Sequence, residues 1–204
     1  MASIAVLGTG TLALVSGACL AELGNMVVCV DEDQPRIDRL QLGEVDSDEP
    51  GLDEMVRSNQ EGKRLDFSSD PAAAILASEV VFLSERGGLE SGARSVGRAM
   101  DGYRVVIDNC GQDLGSAHRI VSWIADELDE RGIDHEFDVV SKPEFLRKGR
   151  AVEDFLHPVR FVVGLKSERA SSVLKGVYAG ILQDGAVYIE TGIDSAEAIR
   201  LILA

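Results

Sequence analysis

Short apolar runs rich in valine and isoleucine recur along the chain at residues 3–7, 26–30, 80–83, 104–107, 137–140 and 161–164. Each is four or five residues long, the pattern of a strand buried on both faces, and together they predict parallel strands. Between them, apolar positions fall at helical spacing: Leu12, Val15, Cys19 and Leu23 in one segment, Ile120, Ile124 and Leu128 in another. Each such stripe is expected to face a sheet. Alternating strand and helix predict an α/β fold, Rossmann-like and doubly wound, with a mainly parallel sheet and helices on both faces.

Asn25 and Gly132 follow helical stretches and suit helix ends, while Asp194-Ser195-Ala196-Glu197 has the spacing of a capping box and predicts a last helix. The end of that helix is apolar, with Leu201, Ile202 and Leu203, so it either packs back on the domain or meets a partner. The loosest segment is 41–53, and no repeat or low-complexity tract interrupts the chain.

The 204 residues suffice for one well-buried main domain. No apolar run approaches the roughly 18 residues of a bilayer span, and residues 1–7 enter a strand with no basic leader before them. Cys19, Cys29 and Cys110 are odd in number, and the first two lie in apolar stretches, which fits a reducing cytoplasm. The net charge of −15 argues against nucleic-acid and membrane partners. A small anionic ligand then needs local backbone donors. His118, His135 and His157 have no metal-ligand spacing, and no metal is expected.

Such donors are predicted at Gly8-Thr9-Gly10-Thr11-Leu12-Ala13, which follows the first strand and opens a helix. Gly8 permits the tight turn and Gly10 leaves room for a pyrophosphate against the backbone. Ala13, in place of a third glycine, still allows close helix–sheet packing. The helix start offers N–H groups and a positive dipole. Asp31 ends the second strand 21 positions after Gly10, where a carboxylate accepts from both adenosine ribose hydroxyls. With Glu32 and Asp33 beside it, a 2′-phosphate is repelled, and the expected cofactor is NAD rather than NADP.

Read on through Leu14 to Gly24 and Val28 to Asp31, the chain resembles the UDP-glucose/GDP-mannose 6-dehydrogenase family. Glu49-Pro50-Gly51-Leu52, Pro143-Glu144-Phe145-Leu146 and the stretch from Ala151 to Pro158 look like that family's motifs, in order. The resemblance implies an NAD-binding domain over 1–190 and the start of a central connecting helix over 191–204, with the nucleotide-sugar domain absent from this sequence. In that family NAD accepts a hydride from the sugar C6 twice, and a cysteine of the C-terminal domain traps the intermediate aldehyde as a covalent adduct.

By this resemblance Glu144 is an acid–base group for the water that opens a thioester, against the alternative of a carboxylate kept for local structure. Phe145 and Leu146 are expected to line the sugar side. Arg200 stands where the family has a catalytic lysine, and arginine stabilises an oxyanion but hardly exchanges a proton. Gly111 replaces a threonine, Ala204 an asparagine and Lys148 a second glutamate, and the loop containing Glu85 is short and acidic. Cys110 near the nicotinamide side reads as a small buried thiol and His157 as structural.

Two functions follow. One is a nucleotide-sugar dehydrogenase chain, inactive alone, whose sugar site (for UDP-glucose or GDP-mannose) needs a second polypeptide, with a homo-oligomer or partner subunit engaged through the C-terminal helix. The other is a non-catalytic NAD-binding module that regulates a full-length relative, or a decayed scaffold.

Overall fold

Three parallel strands, Ser3–Leu7 (β1), Met26–Val30 (β2) and Val80–Leu83 (β4), stand side by side in the sheet, with β1 hydrogen-bonded to both others. The computed structural model describes residues 1–84, 88–110 and 113–203, so Glu85, Gly111 and Ala204 lie outside the described residues. Leu65–Ser68 (β3) flanks β2, and Arg104–Asp108 (β5) and Phe137–Ser141 (β6) continue beyond β4. Arg160–Gly164 (β7) and Val187–Thr191 (β8) complete the order β3-β2-β1-β4-β5-β6-β7-β8.

Thr11–Glu22 (α1) connects β1 to β2, and Gln34–Gln41 (α2) and Leu52–Glu61 (α3) lead to β3. Pro71–Ala77 (α4), Leu89–Ala99 (α5) and Ser116–Arg131 (α6) link the next strands. Ala151–Leu156 (α7), Glu168–Val177 (α8), Ala179–Gln183 (α9) and Ile193–Leu203 (α10) follow. One apolar cluster packs α1 against one sheet face with Val6, Val27, Phe82 and Ile107; a second packs α5 and α6 against the other with Ala5, Val81 and Val106.

The runs at 3–7, 26–30, 80–83, 104–107 and 137–140 are parallel strands, but the run at 161–164 is not. β7 is antiparallel to β6 and touches it through one pair, Ser141 with Gly164. The reason is the connection: its only helix, α7, has six residues, too short to return the chain along the sheet face for another parallel strand. β7 and β8 therefore pair with each other in parallel and project past the carboxyl end of β6.

Other differences have local causes. β3 is a four-residue alternating edge strand, and β8 has exposed Val187 and Ile189, so neither shows a continuous apolar run. α1 is buried all round from Ala13 to Ala21 because α3 and α7 cover its outer side, where a single stripe was expected. α1 lies close against the sheet at Gly17, where a Cβ would lie 2.3 Å from Cys29 Sγ.

Gly132 does end α6, with φ 64°, whereas α1 ends at Glu22 and turns at Gly24 (φ 89°). Asn25 beyond that turn is buried and works as a tie, donating to the Leu20 and Val177 carbonyls at 3.0 Å and accepting from the Ala2 N–H at 3.1 Å.

The capping box expected at Asp194 is absent. α10 begins one residue earlier, at Ile193, and Glu197 points away from its own helix start. Its carboxylate accepts from the Gly115 N–H (2.6 Å), the Ala117 N–H (2.9 Å) and the Ser116 hydroxyl (3.0 Å), meeting the start of α6 instead. Asp194 takes a hydrogen bond from His118 at 2.9 Å. In α10, Ala196 packs within the domain, while Leu201 and Ile202 are exposed. Among the described residues no helix is long and apolar enough to cross a membrane.

Candidate functional site

The order reverses between β1 and β4, and at such a switch point the loops leaving the two strands part to opposite faces and open a crevice at their carboxyl ends. The β1 exit is the glycine turn. Gly8 has φ 116°, in the range that glycine tolerates, and its N–H donates to the Val30 carbonyl at 2.8 Å, pinning the turn against β2. Gly10 caps α1 in extended conformation, and no atom lies within 4 Å of where its Cβ would stand. α1 has no acidic residue in its first turn and no side-chain cap, so its N–H groups face outward without a protein acceptor from a cap.

Asp31 at the end of β2 is half-buried and oriented from two sides. Oδ2 accepts from the buried Thr9 hydroxyl, and Oδ1 accepts from the Asp33 N–H at 3.0 Å. Asp33 itself caps α2, accepting from the Arg36 N–H at 3.2 Å, and Glu32 is exposed beside Asp31. Arg36 was not anticipated from the sequence. It donates from Nη2 to the Thr9 carbonyl at 2.7 Å, and its Nε is buried with no hydrogen-bond partner. Its signal was only a cation five residues after Asp31, and which loop it reaches depends on the α2 cap.

Two clefts meet the turn. One, of about 810 Å3, is lined by Thr9, Gly10, Thr11, Leu12, Asp31 and Arg36, and by the facing segments that carry Asp46, Asp48, Glu144 and Lys148. The other, about 570 Å3, lies on the far side of Gly8, against Asp31, Glu32, Pro71, Gly88 and Ser91. Asp31 belongs to both. Behind them the buried Asn109 donates to the hydroxyls of Ser16 (3.1 Å) and Ser84 (3.2 Å), tying the ends of β4 and β5 to α1.

Glu144 follows β6 and borders the first cleft and a third, of about 550 Å3, with Phe145, Leu146, Phe155, Phe161 and Tyr178 among its walls. Glu144 is ion-paired with Lys142. The Lys142 ammonium is buried 5.2–5.5 Å from the ring centres of Phe155, Phe161 and Tyr178, a cation held by three aromatic faces and one carboxylate. Burial raises the Tyr178 phenol well above its ordinary range, with the nearby Glu144 charge adding to it, and its hydroxyl has no partner. The Lys142 cage was also missed by sequence reasoning, since its rings come from α7, β7 and the end of α8.

Arg200 is buried in α10 with Nη2 unpartnered and lines none of these three clefts. Cys110 is buried, as are Cys19 and Cys29. Burial pushes the Cys29 thiol up to about 12 and raises Cys19 further, so both are inert at neutral pH. The geometry thus brings Gly8, Thr9, Gly10, Thr11, Leu12 and Asp31 together and sets Glu144 and Leu146 across the cleft, with Phe145 behind them. It does not bring Arg200 to the cleft walls.

Residues 2–182 match the NAD binding domain of the UDP-glucose/GDP-mannose dehydrogenase family. UDP-glucose 6-dehydrogenase TuaD of Bacillus subtilis is 35% identical over 211 residues, covering 98% of this chain and 44% of that protein. The UDP-glucose 6-dehydrogenase of Rhizobium meliloti is also 35% identical, with 97% and 47% covered. Among solved structures, a UDP-glucose dehydrogenase from Pyrobaculum islandicum superposes with a TM-score of 0.87 at 31% identity over 98% of this chain and 48% of that one. A ternary complex of GDP-mannose dehydrogenase from Pseudomonas aeruginosa gives 0.89 at 25% identity, again over 98% and 48%. The chain therefore spans about half the length of the curated relatives it matches. It belongs to the UDP-glucose/GDP-mannose dehydrogenase family, as the NAD-binding domain, with NAD as its cofactor.

Proposed function

We propose that this chain is the cofactor-holding half of a nucleotide-sugar 6-dehydrogenase acting in the cytoplasm, with residues 1–190 as the NAD domain and 191–204 as the first turns of a connecting helix. Gly8, Thr9, Gly10, Thr11 and Leu12 cradle the pyrophosphate, and Asp31 receives the adenosine ribose hydroxyls. Arg36 adds a cation on the same wall, and its partnerless buried Nε supports a ligand acceptor there. Bound NAD supplies the hydride acceptor.

The observation that carries the reading is that one cleft joins the uncapped start of α1, the Asp31 carboxylate and Glu144. Glu144 handles the proton of a water or hydroxyl, and Phe145 and Leu146 stand on the side of a UDP-glucose or GDP-mannose type sugar nucleotide. Arg200 acts as an oxyanion-stabilising cation only if α10 brings it to the substrate. The exposed Leu201 and Ile202 support a contact of α10 with a second copy or partner subunit.

Calorimetry with NAD tests the cofactor site. Saturable binding is expected, weakened at least tenfold in Asp31→Ala, with NADP bound more weakly than NAD. Absence of heat at millimolar NAD refutes it. A second reading, an NAD-binding regulatory module without turnover, is favoured by Lys148 on the cleft wall and by Arg200 outside it. NADH absorbance with UDP-glucose or GDP-mannose, alone and with a candidate partner chain, separates the two.

A further inference from the structure

Glu49 is only 6% exposed, although it sits in residues 42–51, which form no helix or strand. A carboxylate buried in this way is destabilising unless donors meet it. Two do, both from a segment 100 residues further along. Oε1 accepts from the Gly149 N–H at 2.8 Å and Oε2 from the Ala151 N–H at 3.2 Å. The backbone of Glu49 is fixed as well: its N–H donates to Ser47 Oγ at 3.3 Å, and its carbonyl accepts from the Leu52 N–H at 3.2 Å.

The two segments joined by this carboxylate both line the 810 Å3 cleft, with Asp46, Ser47 and Asp48 coming from one and Glu144, Leu146 and Lys148 from the other. The second segment is held elsewhere by the Lys142 N–H on the Asp108 carbonyl, by the Lys142 ammonium among Phe155, Phe161 and Tyr178, and by Arg147 on Asp154, none of which reaches 42–51. Among the described residues, no other hydrogen bond connects 42–51 with 142–151.

We propose that Glu49 is a positioning residue that ties the loop bearing Glu144 to the 46–48 segment of the cofactor cleft, so that NAD binding is transmitted to Glu144. This rests on the NAD reading above. Occupation of the cleft restrains 42–51, and the two charge-assisted hydrogen bonds pass that restraint to 143–151. Glu49→Ala removes both acceptors. Glu49→Gln keeps one acceptor oxygen and turns an amide NH2 group toward the second donor.

The test is amide hydrogen exchange over residues 143–151 in the full chain, with and without saturating NAD, for the wild type and both variants. Circular dichroism checks their fold, and calorimetry gives their NAD affinity. Ligand-free exchange in this stretch is expected to be about tenfold faster in Glu49→Ala and intermediate in Glu49→Gln. NAD is expected to slow it in the wild type, less in Glu49→Gln, and not in Glu49→Ala that still binds NAD. Equal slowing by NAD in wild type and variants overturns the proposal while leaving NAD binding intact. If the wild type binds no NAD, the cofactor reading falls instead, and unchanged ligand-free exchange in the variants then rejects the tie itself. Should Glu49→Ala fail to fold, Glu49→Gln carries the same comparison.

Discussion

Adding one methyl group to the middle of α1 should loosen the whole cofactor half of the domain. In Gly17→Ala, the new Cβ would stand 2.3 Å from Cys29 Sγ, and 3.8 Å from Val27 Cγ1 and Leu65 Cδ1. The second and third contacts are ordinary, but the first is short of normal carbon–sulfur contact by more than 1 Å. Neither partner can yield: Cys29 is fully buried in the sheet, and α1 is enclosed by α3 and α7. Overpacking of this severity costs about 3 kcal/mol. Alanine returns about 1 kcal/mol of helix propensity relative to glycine, leaving about 2 kcal/mol of net destabilisation. For a domain of this size that lowers Tm by about 4–8 °C. Removing the obstructing sulfur in Gly17→Ala/Cys29→Ala should recover much of this loss, so the double variant is more stable than the sum of the single effects by about 2 kcal/mol. Urea denaturation of the four proteins measures the cycle. A Gly17→Ala protein as stable as the wild type, or a cycle with no coupling, refutes the argument that Gly17 sets the distance between α1 and β2.

Two further perturbations test the frame around the site. Asn25→Ala strips three hydrogen bonds, two of them buried, that join the end of α1, the chain start and the end of α8, and should destabilise by about 2–4 kcal/mol in urea, whereas a loss below about 0.5 kcal/mol contradicts that role. Arg147, through side-chain and backbone hydrogen bonds, holds the Asp154 carboxyl at about 2, below the usual 3.8. A depressed carboxyl stabilises the folded state above its unfolded pKa and loses that contribution as pH falls through the folded one. With Arg147 65% exposed, solvent screening keeps the contribution of the pair small. The stability difference between wild type and Asp154→Asn should therefore be flat from pH 7 to 5 and shrink from about pH 4 toward 2; a difference that grows on acidification rejects this sign.

How much of this was legible in the sequence depended on how local each determinant is. β1, β2 and β4 are continuous runs of apolar residues, and the Gly8 to Asp31 spacing is fixed by one strand–helix–strand unit, so both could be read directly. The direction of β7 could not, because it depends on whether the 142–159 connection spans a sheet face. β3 and β8 lacked a signal because an edge strand needs only one covered side. Glu197 and Glu49 were legible only as isolated acids, since their donors lie 80 and 100 or so residues away. Asp194-Ser195-Ala196-Glu197 misled for the same reason: the carboxylate that could have closed its own helix found three donors at another.

The way the helices begin has a consequence for selectivity. Asp33 and Ser167 cap α2 and α8 by side chain, Glu197 meets α6 from outside, and α3, α5 and α10 each carry an acidic residue in the first turn. Among the described helices with eight or more residues, α1 alone has no side-chain cap, no acid in its own first turn and no carboxylate reaching its start from another element. In a chain with a net charge of −15, every other long helix start is thus already answered from within. An anion approaching this domain is sorted by elimination: the surface turns it away, the other helix starts offer it competition from resident carboxylates or caps, and one short stretch of backbone remains to receive it.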